Sequence, residues 1–108
     1  MKLHDKFEWD SKKARANAKK HGVTFEDAAA VLGDDRADVC HVEVFDDAHS
    51  SDENRTITTG SHPADRGIIL KVVWTDRSTR GNRITRIISA RPATAREREQ
   101  YVEEIRNR

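Results

Sequence analysis

Residues 82–90 read NRITRIISA and continue directly into Arg91 and Pro92, ahead of a charged segment at residues 94–108. β-branched residues that alternate with polar ones predict a strand here, and Pro92 ends it. Strict alternation predicts two faces, one with Arg83, Thr85, Ile87 and Ser89 and the other with Ile84, Arg86, Ile88 and Ala90. A strand that carries arginines and feeds a charged helix indicates a sheet that holds something anionic.

The charged segment itself, TAREREQYVEEIRNR, predicts a C-terminal helix. Thr94 and Glu97 match the capping-box pattern, and the helix is expected to run to about Arg106. Its apolar stripe is thin and consists of Tyr101, Val102 and Ile105. We therefore expect this helix to pack lightly on the sheet and to remain largely solvated.

Three further strands are predicted upstream, at residues 39–45 (VCHVEVF), 55–60 (RTITTG) and 67–75 (GIILKVVWT). The third is the most apolar run in the chain and is flanked by turn residues, which is typical of a central strand. Short polar turns separate these strands from one another and from residues 82–90. The four strands are therefore expected to form an antiparallel meander.

Two helices are predicted before the strands, at Ser11–His21 and Phe25–Leu32. Asp10 and Thr24 are suitable N-cap residues, and Gly22 is suited to ending the first helix. The predicted fold class is α+β: two N-terminal helices, a four-stranded antiparallel meander and a C-terminal helix, in two layers. At 108 residues the chain is expected to be one domain, residues 1–108.

Charge is distributed unevenly along the chain, although its formal net charge is only +1. Residues 1–65 carry 9 basic and 14 acidic side chains, whereas residues 66–108 carry 11 basic and 5 acidic ones. Nearly all of the basic residues in the second part are arginine, whose planar fork suits phosphate oxygens. The C-terminal part is thus the candidate anion-binding region.

Several classes of protein are disfavoured by what the sequence lacks. Cys40 is the only cysteine, so no disulfide can form within the chain. Cys40 and His41 would point to opposite faces of a strand, and no second pair has ligand spacing, so we expect no metal. With no glycine-rich nucleotide motif we expect no cofactor, and with no long apolar run we expect no membrane segment and a cytoplasmic location.

The arginines at the predicted hairpin and strand ends are the candidates for binding an anion. Arg77 and Arg91 both lie where a predicted buried strand meets solvent, and the meander could bring them together across the hairpin. The arginines of the last helix, by contrast, are interpreted as a solvated face paired with nearby glutamates.

If the anion is RNA, cleavage without a metal is chemically possible. A base takes the proton of the 2′-hydroxyl, arginines stabilise the charge on the phosphorus, and an acid protonates the leaving oxygen. The side chains available for proton transfer are Lys20, His21, His49 and Glu53.

The chain also resembles the BrnT family of bacterial toxins. The motifs that carry the resemblance are FEWD at 7–10, KHGVTFEDA at 20–28, HS at 49–50, the stretch from ENR to Gly60 at 53–60, VVWTDR at 72–77, and RIISARPAT at 86–94 with ERExY at 97–101. They span nearly the whole chain in the family's order. The family usually has proline after WD, where this chain has Ser11, and either residue suits a first helical turn.

The resemblance implies a RelE-like toxin domain that acts as a ribonuclease and arrests translation in the bacterial cytoplasm. It also implies a BrnA-like antitoxin with a ribbon-helix-helix domain as partner, and binding of operator DNA through that antitoxin. Two alternatives stay open: a non-catalytic RNA-binding sheet, although the aromatic pattern typical of such sheets is absent, and a module that only co-represses with a partner.

We assign the candidate residues as follows. The predicted catalytic residues are Arg77 and Arg91 as phosphate or transition-state ligands, with Lys20 and His21 on the proton-transfer side. Arg55, Arg83 and Arg86 are predicted to position RNA, and His49 and Glu53 are further candidates for proton transfer.

Overall fold

A five-stranded mixed sheet organises the residues that the computed structural model describes, which are 6–34, 41–46 and 54–107. The strands are β1 (Lys6–Glu8), β2 (Val42–Phe45), β3 (Arg55–His62), β4 (Asp65–Asp76) and β5 (Ile84–Pro92). Their order across the sheet is β1-β5-β4-β3-β2. Strands β2 to β5 form the predicted antiparallel meander, whereas β1 pairs in parallel with β5.

The prediction of four strands, all antiparallel, was therefore wrong at one edge. Lys6 pairs with Ile84 and Glu8 with Arg86, which adds a fifth strand beside β5. Three residues are too few to show a period of two, so the sequence did not predict a strand at this point. The turn between β3 and β4 is also shorter than predicted, because pairing continues to His62 and Asp65.

The described residues form three helices, α1 (Ser11–His21), α2 (Phe25–Leu32) and α3 (Ala95–Arg106). The first two have the predicted bounds, but β1 precedes them, so the helices are not the first elements of the chain. Asp10 caps α1 by accepting hydrogen bonds from the N–H groups of Lys12 and Lys13. The bond from Lys13 in particular holds the pKa of Asp10 below its usual value. Gly22 ends the helix in the left-handed region, with φ 69°.

The hydrophobic core lies between the two N-terminal helices and one face of the sheet. Its fully or nearly fully buried members are Val23, Phe25, Ala28, Val31 and Leu32 from the helical layer, and Leu70, Val72, Ile87 and Ala90 from the sheet. Trp9 packs edge-to-face on Phe25, with ring centroids 6.0 Å apart. We call this face of the sheet the helix face.

The opposite face is covered in part by α3, and we call it the open face. Tyr101 is buried there, whereas Val102 of the predicted apolar stripe is 42% exposed. The backbone N–H of Ala93 donates to the carbonyl of Ile69, which holds the start of the helix near β4. The prediction of a lightly packed, largely solvated final helix is thus confirmed. Within the described ranges, no helix is both long and apolar enough to cross a membrane.

A bulge in β5 changes which residues share a face. Val73 pairs with Ser89 and Trp74 with Ile87, so Ile88 is an extra residue on β5. Thr85 and Ile87 are buried on the helix face, but beyond the bulge it is Ala90 that is buried there. The strict alternation predicted through residue 90 was therefore wrong after Ile87. As a consequence, Arg86 and Arg91 both belong to the open face.

Asn17 joins α1 to the outer edge of β5. Its Nδ2 donates to the carbonyls of Ala90 (2.7 Å) and Val23 (3.0 Å), and its Oδ1 accepts from the N–H of Ala90 (3.1 Å). Strand β1 ends at Glu8, opposite Arg86, and does not extend to Ala90. The side-chain amide therefore satisfies backbone groups that a longer β1 would otherwise pair.

We predict that Asn17→Ala lowers the free energy of unfolding by about 2 to 4 kcal/mol, because it leaves buried backbone groups of Ala90 and Val23 without hydrogen-bond partners. Urea unfolding followed by circular dichroism measures the change. Arg15→Ala, an exposed change on the same helix, is the control and should stay within about 0.5 kcal/mol of wild type. Equal stability of Asn17→Ala and the control would contradict this role.

Candidate functional site

A row of polar and charged residues crosses the open face of the sheet. Arg55 of β3 pairs with Thr75 of β4, Thr75 pairs with Arg86 of β5, and Arg86 pairs with Glu8 of β1. Residues in register on neighbouring strands share a face and lie about 5 Å apart, so the Cα atoms of Arg55 and Arg86 are roughly 10 Å apart. The fold thus places one arginine on each side of Thr75, Arg55 on β3 and Arg86 on β5.

Arg77 lies close to this row. It follows Thr75 by two residues, and its N–H donates to the carbonyl of Ile84 at 2.9 Å, so the chain stays beside β5. Arg77 lies one residue beyond the end of β4, about 7 Å further along the chain than Thr75. A cavity of about 370 Å³ opens here, lined in part by Asn54, Thr75 and Arg77. We call Arg55, Arg77 and Arg86 the arginine cluster.

Glu8 places a carboxylate at the edge of the arginine cluster. Its Oε2 lies 2.7 Å from Nη1 of Arg86, and the two side chains are 40% and 32% exposed. Glu8 and the three arginines together carry a formal charge of +2. Guanidinium groups can bind phosphate oxygens through paired hydrogen bonds, and a carboxylate beside them can accept a proton. The arrangement is therefore suited to holding a phosphate and moving a proton near it.

The β3 side of the cluster is held by main-chain contacts at the start of that strand. The hydroxyl of Thr75, which is buried, donates to the carbonyl of Asn54 at 2.6 Å. The carbonyl of Arg55 accepts from the N–H of Asp46 at 2.8 Å. Strand β3 is thus tied on both sides at the residue that supplies an arginine, which limits the movement of its backbone.

Arg91 lies apart from the cluster, contrary to the prediction that it neighbours Arg77. It pairs with Lys71, which precedes Arg77 by six residues, so the two arginines are about 20 Å apart along the sheet. The hairpin puts Arg77 beside the start of β5, whereas Arg91 is near the end of that strand. Antiparallel pairing therefore separates the two residues that the sequence suggested as partners.

Arg91 forms an ion-pair centre with Glu97 and Lys71. Its Nη1 and Nη2 donate to the two carboxylate oxygens of Glu97 at 2.7 and 2.8 Å, and Lys71 donates to the same carboxylate at 2.9 Å. Glu97 also completes the capping box with Thr94. The bonds from Arg91 above all hold the pKa of Glu97 far below its usual value, and the same pairing raises the pKa of Arg91. This centre fastens α3 to the sheet.

Lys20 and His21 are at the end of the molecule that carries Arg91, not the arginine cluster. They occupy the last turn of α1, beyond Asn17, whose side chain reaches Ala90. The helix begins at Asp10, close enough to Arg86 for the arginine to lower the pKa of Asp10 as a minor contribution. Lys20 and His21 are thus not brought to the arginine cluster, and their catalytic roles stay predictions.

Of the other predicted residues, Arg83 lies on a different surface from the arginine cluster, and His49 and Glu53 belong to the part of the chain that the structure does not describe. Arg83 lies beside Trp74 and Asp76 in a cavity of about 490 Å³ at the β4–β5 hairpin. His49 and Glu53 lie outside the described residues, so their roles also stay predictions.

Sequence reasoning missed two groups that can transfer protons. Glu8 was passed over because β1 is too short to be recognised as a strand. His62 lies 3.0 Å through Nε2 from a carboxylate oxygen of Asp27, and its Nδ1 accepts from the N–H of Ala64. Nε2 of His62 therefore joins the β3–β4 turn to α2, while Nδ1 is engaged within the turn. Only the pairing register of β1 could have indicated Glu8.

Comparison with known families gives a match over most of the chain. A family model described as "Ribonuclease toxin, BrnT, of type II toxin-antitoxin system" matches residues 9–97. No curated protein matches the chain at a significant level. The matched range contains the whole arginine cluster, together with Arg91 and Glu97.

The ion-pair centre yields a prediction about pH. The folded state depresses the pKa of Glu97, so its stabilising effect is complete above the ordinary glutamate pKa of about 4.3 and declines as the pH falls below it. Glu97→Gln should cost about 1 to 3 kcal/mol at pH 7, and the difference from wild type should shrink between about pH 5 and pH 3. Urea unfolding at a series of pH values measures this difference.

Glu99→Gln, which removes an exposed carboxylate from the same helix, is the matched control and should follow wild type throughout this pH range. Parallel pH profiles for wild type and Glu97→Gln would show that the pair contributes no pH dependence.

Proposed function

Since the chain belongs to the BrnT family of ribonuclease toxins of type II toxin–antitoxin systems, we propose that it cleaves RNA without a metal ion and holds the scissile phosphate at the arginine cluster. The observation that carries this assignment is the register that aligns Arg55, Thr75 and Arg86 across three strands, with Arg77 beside them. Three guanidinium groups on one face can surround a phosphate whose charge increases in the transition state.

The proposed reaction is an internal transesterification. The 2′-hydroxyl oxygen attacks the adjacent phosphorus, a base takes the hydroxyl proton, and the bond from phosphorus to the 5′-oxygen breaks. The leaving 5′-oxygen takes a proton from an acid, and the products are a 2′,3′-cyclic phosphate and a 5′-hydroxyl. Arginines stabilise the negative charge on the phosphoryl oxygens as it forms.

Glu8 is the base that the geometry favours. It lies at the end of the row, 2.7 Å from Arg86, and is 40% exposed, so a substrate hydroxyl can approach it. Arg86 would hold the carboxylate in place before the reaction and also contact the phosphate. Lys20, His21, His49 and Glu53 remain sequence-based candidates for proton transfer.

The type II family implies an antitoxin as partner. We propose that this antitoxin is a BrnA-like ribbon-helix-helix protein, that it neutralises the toxin, and that the complex binds operator DNA through the antitoxin. The motifs RIISARPAT and KHGVTFEDA support this more specific assignment. RNA cleavage in the bacterial cytoplasm would then arrest translation whenever the antitoxin is depleted.

The test is expression of the protein in a bacterium without its antitoxin, together with cleavage of RNA by the purified protein. Replacing both Arg77 and Arg86 by alanine should abolish growth arrest and slow cleavage by about 100-fold or more, because two charged donors to the phosphate are lost. Glu8→Gln should slow cleavage without weakening RNA binding to the same extent. Cleavage should persist in EDTA and fail on RNA with a 2′-deoxy linkage at the cleaved position.

The matched control is Arg96→Ala, which removes an exposed arginine from α3 and should leave both readouts unchanged. Circular dichroism shows whether each variant is folded. Growth arrest by a folded Arg77→Ala, Arg86→Ala double variant at the level of wild type would refute the cluster as the site. Tight RNA binding without cleavage by wild type would instead support a non-catalytic RNA-binding module.

A further inference from the structure

We propose that the cavity at the β4–β5 hairpin binds a guanine base of the RNA, an inference that rests on the function proposed above. The cavity has a volume of about 490 Å³ and lies on the helix face, at the same end of the sheet as the arginine cluster. Its lining combines an indole, a carboxylate, an amide and a guanidinium, from Trp74, Asp76, Asn82 and Arg83. This combination provides one stacking surface together with acceptors and donors of hydrogen bonds.

The indole of Trp74 is held in a fixed orientation. Its Nε1–H donates to the hydroxyl of Thr58 at 2.8 Å, and that hydroxyl donates to Glu43 at 3.3 Å. Thr58 is fully buried, and Trp74 packs against the hydrophobic core while also lining the cavity. An aromatic ring that is immobilised before binding can stack on a base with little further loss of freedom.

Asp76 supplies acceptors beside this ring. One carboxylate oxygen, Oδ1, accepts from the N–H of Ser78 at 2.8 Å, which orients the side chain. A carboxylate has about four acceptor positions, and the N–H of Ser78 takes one of them. Guanine presents two adjacent donors on its Watson–Crick edge, N1–H and the N2 amino group, and a single carboxylate can accept from both.

Donors on the other side of the cavity complete the match. Arg83 is exposed, and a guanidinium pairs well with the O6 and N7 acceptors of guanine. The Oδ1 of Asn82 accepts from Lys6 at 3.2 Å, which directs the amide and keeps its NH₂ group as a donor. Adenine lacks the N1–H donor, and each pyrimidine is smaller and offers fewer groups to the carboxylate. The chemistry of the cavity therefore favours guanine over the other three bases.

The chain order connects this cavity with the phosphate site. Asp76 is the last residue of β4 and Arg77 follows it, and Asp76 lines both the hairpin cavity and the smaller cavity beside Arg77. An RNA strand that bends round the hairpin could place its phosphate at Arg77 and its adjacent base beside Asp76. The same hairpin would thereby supply both the site of cleavage and its sequence preference.

Binding of nucleoside monophosphates tests the cavity independently of catalysis. In a Trp9→Phe background Trp74 is the only tryptophan, so its fluorescence reports on the cavity. GMP should quench this fluorescence and bind at least 10-fold more tightly than AMP, CMP or UMP. Asp76→Asn keeps an acceptor for the N–H of Ser78 but gives up the carboxylate, and it should remove the preference for GMP.

Asp65→Asn is the matched control, because Asp65 accepts from the N–H of Gly67 at 2.9 Å in the same kind of turn and lies away from the hairpin. It should bind GMP as wild type does. Equal affinity for all four nucleotides, absence of quenching, or full retention of the preference in Asp76→Asn would overturn the proposal.

Mapping of RNA cleavage products separates this proposal from the proposed function. Wild type should cut next to guanines, and Asp76→Asn should still cut but with the preference lost. Cleavage at positions unrelated to guanine by wild type would overturn the guanine site and leave the ribonuclease intact. If wild type binds GMP selectively yet cuts no RNA, the cavity stands and the proposed reaction fails.

Discussion

The pairing of Asn17 with Ala90 is the contact on which the arrangement of the sheet and the first helix depends. Strand β1 is only three residues long, so it covers the outer edge of β5 at Ile84, Thr85 and Arg86 and then stops. The edge beyond it needs partners for its backbone, and the Asn17 amide satisfies Ala90 from both its donor and its acceptor atoms. The same amide bonds to Val23, which lies in the connection between the first two helices. One buried side chain thus sets the position of two helices against β5.

The bulge at Ile88 has a comparable effect on the open face. In an unbroken strand Arg86 and Arg91 would point to opposite faces, because they are five residues apart. The extra residue restores Arg91 to the face that carries Arg86, where it meets Lys71 and Glu97 under α3. Residues on one side of the bulge therefore present the arginine cluster, and those on the other side anchor the final helix.

The helices could be read from the sequence because their signals are local. Asp10, Thr24 and Thr94 cap them by hydrogen bonds that span two or three residues. Such capping patterns can be recognised in the sequence without knowing the tertiary fold. Strand β1 and the bulge could not be read, since both are defined by pairing with residues distant in sequence. For the same reason the sequence suggested that Arg77 and Arg91 are neighbours, which they are not, and did not indicate Glu8 as a site residue. For the site, sequence reasoning found the arginines but not their grouping.

Arg91 and the arginine cluster differ in how their positive charges are paired with carboxylates. Two hydrogen bonds join Arg91 to the carboxylate of Glu97, whose pKa is far below its usual value, so the pair stays ionised. The positive charge of Arg91 is therefore largely compensated by Glu97. Arg86 of the arginine cluster makes one bond to the carboxylate of Glu8, which is 40% exposed. An anionic ligand at Arg91 must displace both bonds to Glu97, which is 20% exposed, whereas a ligand at Arg86 competes with a single bond to a more exposed carboxylate. The proposed site therefore lies at the hairpin end of the sheet, although Arg86 and Arg91 belong to the same sequence motif, RIISARPAT.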